Sequence, residues 1–220
     1  MNKVLFFLCL SIVSKTAFAE GKWSAEFLLG NGSFDLSSGI SGTFDDEIFS
    51  EKIEVPNIDN TAIYGLRGTY TFNSYIGIEF GYRDFGESES EYIDDFDDTI
   101  NDKIKTDAIL FGVKGAYPIS SDFSVNGRIG LANWGIDSKS TDSSTPGETY
   151  RSNEDGQDIY YAVGGEYSFN EKMYVGLEYA IYPLEWTNSE KGELENIQYE
   201  YTIKQKLEIQ TVSLSIGIKF

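Results

Sequence analysis

From residue 22 onward, apolar and polar residues alternate with a period of two, in runs separated by polar connections. Period two puts successive side chains on opposite faces of an extended strand. A helical spacing of three to four residues is sustained nowhere, so the pattern predicts an all-β chain. Eight runs are predicted as strands, at about 22–33, 61–72, 75–85, 106–117, 123–135, 158–168, 172–182 and 207–220. Their connections alternate in length. Asn73-Ser74, Pro118 to Asp122 and Phe169 to Glu171 are short, whereas 35–60, 86–105, 136–157 and 183–206 are long. Eight antiparallel strands joined in this way predict an up-and-down barrel with tight turns at one end and long loops at the other. An even strand number places both chain ends at the tight-turn end.

The two faces of each strand differ in chemistry. One face runs from Trp23, Ala25, Phe27 and Leu29 in the first strand to Val212, Leu214, Ile216, Ile218 and Phe220 in the last. It carries no charge anywhere, in a chain that is 24% charged. The interleaved positions carry Glu26, Arg67, Glu79, Arg83, Lys114, Arg128, Glu166, Glu178 and Lys219, with many glycines between them. Alternation alone also fits a soluble barrel with its apolar face inside. Volume separates the two cases, because an eight-stranded barrel has an interior only just wide enough for side chains. The Phe-, Tyr- and Ile-rich face would overfill it, so that face is predicted to point outward into lipid. Trp23, Tyr64, Tyr70, Tyr82, Tyr117, Tyr161, Tyr167 and Tyr179 lie near strand ends, as interfacial aromatic girdles require.

Residues 1–19 read as a secretory signal peptide. Lys3 precedes an apolar core, Val4 to Val13, and Ala17-Phe18-Ala19 supplies a small-x-small cleavage site. The mature chain, residues 20–220, is then one barrel domain that begins at Glu20. Cys9 is the only cysteine and sits inside the leader, away from a lipoprotein acceptor position. The chain has no histidine, which removes the usual general base and zinc ligand. A net charge of −19 argues against nucleic-acid binding.

Two constellations are candidates for chemistry. Glu26, Glu79, Glu166 and Glu178 face the same interior as Arg67, Arg83, Lys114 and Arg128. Balanced charges in a narrow lumen should pair, because an orphaned buried charge is costly. The network reads as a polar plug that rigidifies the barrel or as an ion gate, and Lys114→Ala would raise conductance if it gates. Segment 87–102 carries eight carboxylates and no base. It reads as a solvated acidic loop or as a divalent-cation site, although its spacing fits no EF-hand. Catalytic, cofactor-binding and metal residues are not expected. Glu166 and Glu178 could do acid–base work only in a lumen with room for substrate.

The stretches TAIYGLRGTYTFNSYIGIEFGYRDFG (61–86), VKGAYPISSDFSVNGRIGLANW (113–134) and VGGEYSFNEKMYVGLEYA (163–180), in this order, resemble successive strand pairs of the outer-membrane protein A (OmpA) barrel family. The ending VSLSIGIKF resembles the last strand that the barrel-assembly machinery recognises, which makes Phe220 the expected assembly signal. The resemblance implies the Gram-negative outer membrane, export through the Sec pathway and both termini in the periplasm. It also implies lipid and lipopolysaccharide as surroundings, a monomer, and four outer loops free to meet extracellular or host-surface ligands. Two departures limit it. The chain stops at Phe220 without the family's peptidoglycan-binding domain, so cell-wall tethering is not expected. Gly176 stands where the family has an interior arginine, so the family's lumenal network carries over only through Glu79, Lys114, Arg128, Glu166 and Glu178. The expected role is structural or surface-interacting, in adhesion or envelope integrity; the alternative is a narrow porin-like channel.

Overall fold

The computed structural model describes residues 22–44, 47–55, 60–93, 98–145, 147–194 and 197–220. The predicted leader at 1–19 lies outside the described residues. Nine strands form one antiparallel sheet: β1 (Lys22–Phe44), β2 (Glu47–Val55), β3 (Thr61–Thr71), β4 (Ile76–Ile93), β5 (Thr99–Pro118), β6 (Phe123–Asp142), β7 (Tyr150–Ser168), β8 (Met173–Leu194) and β9 (Ile197–Lys219). The sheet runs β2-β1-β3-β4-β5-β6-β7-β8-β9 and closes through β1 and β9. That closing ladder extends from Ser24↔Lys219 to Phe44↔Tyr199. β3 pairs with the first half of β1 (Lys22↔Thr71 to Gly32↔Thr61), and β2 pairs with the second half (Leu36↔Val55 to Phe44↔Glu47). β2 and β3 are therefore two lengths of one stave. The nine strands make eight staves, since β2 ends at Val55 and β3 begins at Thr61 along the same edge of β1.

At the tight-turn end the strands stop within a residue or two of the predicted limits. At the other end they run much further. β1 continues to Phe44 rather than 33, β8 to Leu194 rather than 182, and β9 begins at Ile197 rather than 207. Most of 35–60, 86–105, 136–157 and 183–206, expected as loops, is strand. The cause is an exchange of faces. On β9 the outward positions change from Val212, Leu214, Ile216 and Ile218 to Gln210, Glu208 and Lys206, while the inward ones change from Thr211, Ser213 and Ser215 to Ile209 and Leu207. β5 makes the same exchange between Ile109 and Asp107, and β6 between Leu131 and Asn133. Below this level the barrel is apolar outside and polar inside. Above it the wall is polar outside and mostly apolar inside, with Ser88, Ser90 and Thr106 among its buried polar residues. The wall keeps its strand geometry while its two faces exchange character.

Above the exchange the barrel also divides. The β7–β8 ladder begins at Tyr161↔Ile181, and the β3–β4 ladder begins at Tyr64↔Asp84. Among the described residues, β2 makes no ladder with β4, and the upper parts of β7 and β8 make none with each other. The projecting wall is thus two leaves, β4-β5-β6-β7 and β2-β1-β9-β8, separated by two seams. Side chains stitch one seam. Asp158 Oδ2 accepts from Trp134 Nε1 at 2.8 Å and from the Glu185 backbone N–H at 2.9 Å, and Asn188 Nδ2 donates to Glu154 Oε1 at 3.1 Å. Beside the other seam, β4 bulges between Asp84 and Glu87. There Gly86 takes a φ of 79°, which glycine adopts without strain.

Candidate functional site

The lumen has three layers. At the tight-turn end is an open vestibule with a cavity of about 870 Å³, bordered by Lys22, Ser24, Lys114, Glu166, Tyr174 and Lys219. Lys219 Nζ donates to Ser168 Oγ at 2.9 Å and lies 5.2 Å from the centre of the Tyr174 ring. That ring lies flat against Gly217, where an added Cβ would come within 2.1 Å of it. Tyr160 packs on Gly130 in the same way. The interior is therefore not only small and charged, as the sequence suggested. Several of its glycines make room for inward-pointing rings.

The middle layer is the charge network. Alternation on β1, β3, β4, β5, β6, β7 and β8 aims Glu26, Arg67, Glu79, Arg83, Lys114, Arg128, Glu166 and Glu178 at the axis, and all but Lys114 are buried. Glu178 meets three guanidinium groups: Arg67 at 2.8 Å, Arg83 at 3.0 Å and Arg128 at 2.9 Å. Arg67 also reaches Glu26 at 2.6 Å, and Arg128 reaches Glu79 and Glu166, each at 3.1 Å. Lys114 closes the lower edge on Glu166 at 2.5 Å. Neutral groups take up remaining lone pairs. Ser215 Oγ donates to Glu26 at 2.7 Å, Tyr160 Oη donates to Glu79 at 2.8 Å, and Arg83 donates to Ser213 Oγ at 3.1 Å. Four carboxylates and four bases make the cluster neutral as a whole. The Arg67–Glu26, Arg83–Glu178, Arg128–Glu79, Arg128–Glu166 and Lys114–Glu166 contacts are charge-assisted hydrogen bonds, the strong kind, whereas Arg67 and Arg128 meet Glu178 as ion pairs.

The upper layer is apolar, and sequence reasoning missed it. Phe34, Leu36, Phe85, Trp134, Ile136, Tyr182, Leu184, Leu207 and Ile209 form a buried cluster inside the wall. Phe85 meets Tyr182 edge-on at 4.8 Å, and Tyr160 stacks on Tyr182 at 5.4 Å. Leu184, Leu207 and Ile209 are completely shielded from solvent. The signal was present in the sequence as a second alternation, in the opposite phase: Tyr182, Leu184, Trp186 on β8 and Leu207, Ile209 on β9.

The outer surface bears the expected belts. Trp23, Tyr70 and Phe72 form a run of ring contacts at 4.9 and 5.2 Å at the tight-turn end. At the other boundary Tyr64 donates to Asp84 at 2.7 Å and Tyr179 to Gln210 at 2.8 Å. Phe220 is exposed at the tight-turn end, its backbone N–H donating to the Trp23 carbonyl at 2.8 Å. In the acidic segment 87–102, Glu89 accepts from Lys103 across the β4–β5 hairpin, which holds that ammonium above its usual pKa range. Among the described residues no three carboxylates converge as metal ligands do.

A family model described as the outer membrane protein beta-barrel domain matches residues 5–220. The chain is 28% identical to outer membrane protein A of Shigella flexneri over 166 residues, which cover 75% of this chain and 42% of that protein. It spans less than half the length of the curated relatives it matches. Among solved structures, OprG of Pseudomonas aeruginosa superposes with a TM-score of 0.54 at 15% identity, covering 89% of this chain and 95% of OprG. The outer membrane protease OmpT of Escherichia coli superposes with a TM-score of 0.52 at 14% identity, covering 94% of this chain and 99% of OmpT. At those identities the two structures speak for the fold alone.

Proposed function

Because this chain belongs to the outer membrane protein β-barrel family, we propose that it is a non-enzymatic structural and surface-contact protein whose working parts are the two projecting leaves. One observation carries this reading: the bore is filled at two successive levels, by ion pairs and then by an apolar plug. A solute entering the vestibule meets Glu178 held by three arginines, and above it Leu184, Leu207 and Phe85. The same filling speaks against catalysis. Glu166 and Glu178, the carboxylates best suited to acid–base work, are each already committed to two or more cations. The chain also has no histidine, the side chain most often used as a general base.

In this reading the tight turns and both described ends face the periplasm, and the leaves stand outside the cell. Phe220 and the alternating last strand serve the assembly machinery. Lipid and lipopolysaccharide surround the apolar band, the barrel acts as a monomer, and adhesion or envelope integrity is the resulting role. Membrane fractionation combined with a heat-modifiability gel tests it. The protein should sediment with outer membranes and run faster unboiled than boiled. A soluble protein with a single band at either temperature refutes the reading.

A further inference from the structure

Residues directly opposite each other on paired strands share a face. The ladders therefore continue the inward side of Leu36, Ile136 and Leu207 up both leaves to their tips. Above the plug that side carries Glu47, Glu51, Asp102, Asp142, Glu154 and Glu190, and among the described residues no lysine or arginine. Lys103, Lys139, Arg151 and Lys204 all take the outer side. The chain has 17 bases for 36 acids, so the charges of the leaves are sorted by face. Glu190 is the best ordered of the six. It lies opposite Tyr201, and Gly192 lies opposite Tyr199. Tyr199 Oη donates to Glu190 Oε1 at 3.1 Å, and Tyr201 Oη donates to Oε2. The two half-buried rings are nearly parallel, with planes 18° apart and centres 6.1 Å apart. Tyr199 reaches Glu190 because residue 192 is glycine; a side chain there would collide with its hydroxyl. The hydrogen bonds to Glu190 raise both phenols above their usual pKa range, so the rings stay neutral. Glu190 itself is exposed and, among the described residues, makes no ion pair. Lys191, next to it in the chain, points to the other face and pairs with Glu200 at 2.6 Å.

We propose that Tyr199, Glu190 and Tyr201 form a receptor site for an arginine side chain presented by an extracellular polypeptide. The inference rests on the surface-contact reading given above and names the chemistry of the partner. A guanidinium is planar and weakly hydrated, stacks on aromatic faces, and offers parallel N–H donors to both oxygens of a carboxylate. Each Glu190 oxygen has accepted one phenol proton and keeps a lone pair for such a donor. The phenols hold that carboxylate in place beforehand, so less order is lost when the partner arrives. A divalent metal ion suits the site poorly. It needs several oxygen ligands, and among the described residues no three carboxylates converge. The base-free inner faces add a longer-range field that draws cations into the space between the leaves and turns acidic surfaces away.

Titration of the full folded barrel in zwitterionic detergent tests the site, read by NMR on the ring signals of isotope-labelled tyrosine. Y199F and Y201F assign the two signals. The probes are capped pentapeptides Gly-Gly-X-Gly-Gly in which X is arginine, lysine or citrulline, the last a neutral analogue of nearly the same shape as arginine. The arginine peptide should shift both signals saturably, and the citrulline peptide should bind about tenfold more weakly. The lysine peptide should fall between them. E190Q should weaken the arginine peptide about tenfold. E200Q removes the same charge from the other face of the same hairpin and should match the native protein. The inference is overturned if the arginine peptide leaves both signals unmoved, if citrulline or lysine binds as well as arginine, or if E190Q binds like the native protein. Equal losses on E190Q and E200Q also overturn it, since net charge alone would then account for binding. The unboiled gel band, read on each sample, shows that the barrel is intact. Fractionation separately tests whether the leaves stand outside the cell, so the two failures are distinguishable.

Discussion

Glu178 shows what a single residue does in this lumen. Its carboxylate is the common partner of Arg67, Arg83 and Arg128, which come from three different strands. Removing it leaves three buried guanidinium groups with too few anions, and breaking a buried pair costs ~3–5 kcal/mol. Glu178→Ala should therefore lower the unfolding free energy by about that amount, measured by urea titration of the reconstituted barrel on gels. Lys114→Ala should cost much less. Lys114 borders the open vestibule, and its partner Glu166 keeps Arg128 at 3.1 Å. Equal losses for the two variants would show that the network does not have its centre at Glu178. Gly217 offers a second check. An added methyl at 217 meets the Tyr174 ring at 2.1 Å, so Gly217→Ala should destabilise by ~1–3 kcal/mol, and Tyr174→Leu in the same chain should restore much of the loss.

At the scale of strands, the sequence was legible wherever one rule held and misleading where the rule reversed. Inside the apolar band, Phe27, Phe80, Val113 and Ile216 point out while Glu79 and Arg128 point in, as alternation foretold. The tight turns were readable because Asn73 and Asn170 are strong turn formers, each accepting backbone N–H bonds through its side-chain oxygen. The far ends were not. Past Leu29, Ile109 and Val212 the outward residues turn polar, and a search for outward greasy positions stops there. The ladders do not stop there: the plug carries them past the exchange, and backbone pairing continues through Thr187 to Glu190, which are exposed on both faces. The plug should accordingly matter more than the hairpin tips. Asn188 lies directly opposite Ile203, so residues 189–202 can be replaced by a two-residue Asn-Gly turn. That variant should keep the heat-modifiable barrel and lose little stability. Leu184→Ala, which shortens nothing but hollows the plug, should cost ~2–5 kcal/mol in the same titration. The opposite ranking would mean that the leaves, not their buried base, hold the upper wall together.

Over the whole molecule the two fillings act in series, and this bears directly on the channel alternative. Four bases facing four carboxylates suggest a gate when read alone, since exchanging partners around Glu166 or Glu178 could let water past the middle layer. The apolar layer above removes that consequence. Water and ions crossing between Leu184, Leu207, Ile209 and Phe85 would find few hydrogen-bonding partners, the buried hydroxyls of Tyr182, Thr106 and Ser88 among them, and an ion in such surroundings faces a desolvation penalty of several kcal/mol. Opening the ion pairs then enlarges the vestibule without completing a path. Lys114→Ala alone should leave single-channel conductance in planar bilayers at the native level. Leu184→Ser with Leu207→Ser should admit water above the network yet conduct little while the ion pairs remain. Only Glu178→Ala, which removes the common partner of three arginines, combined with both serines should give a sustained conductance step, greater than the sum of the two parts, because each layer blocks independently. A step from Lys114→Ala by itself would show that the plug yields without being altered, and would make the protein a gated channel rather than a closed post carrying its contact surfaces outside the cell.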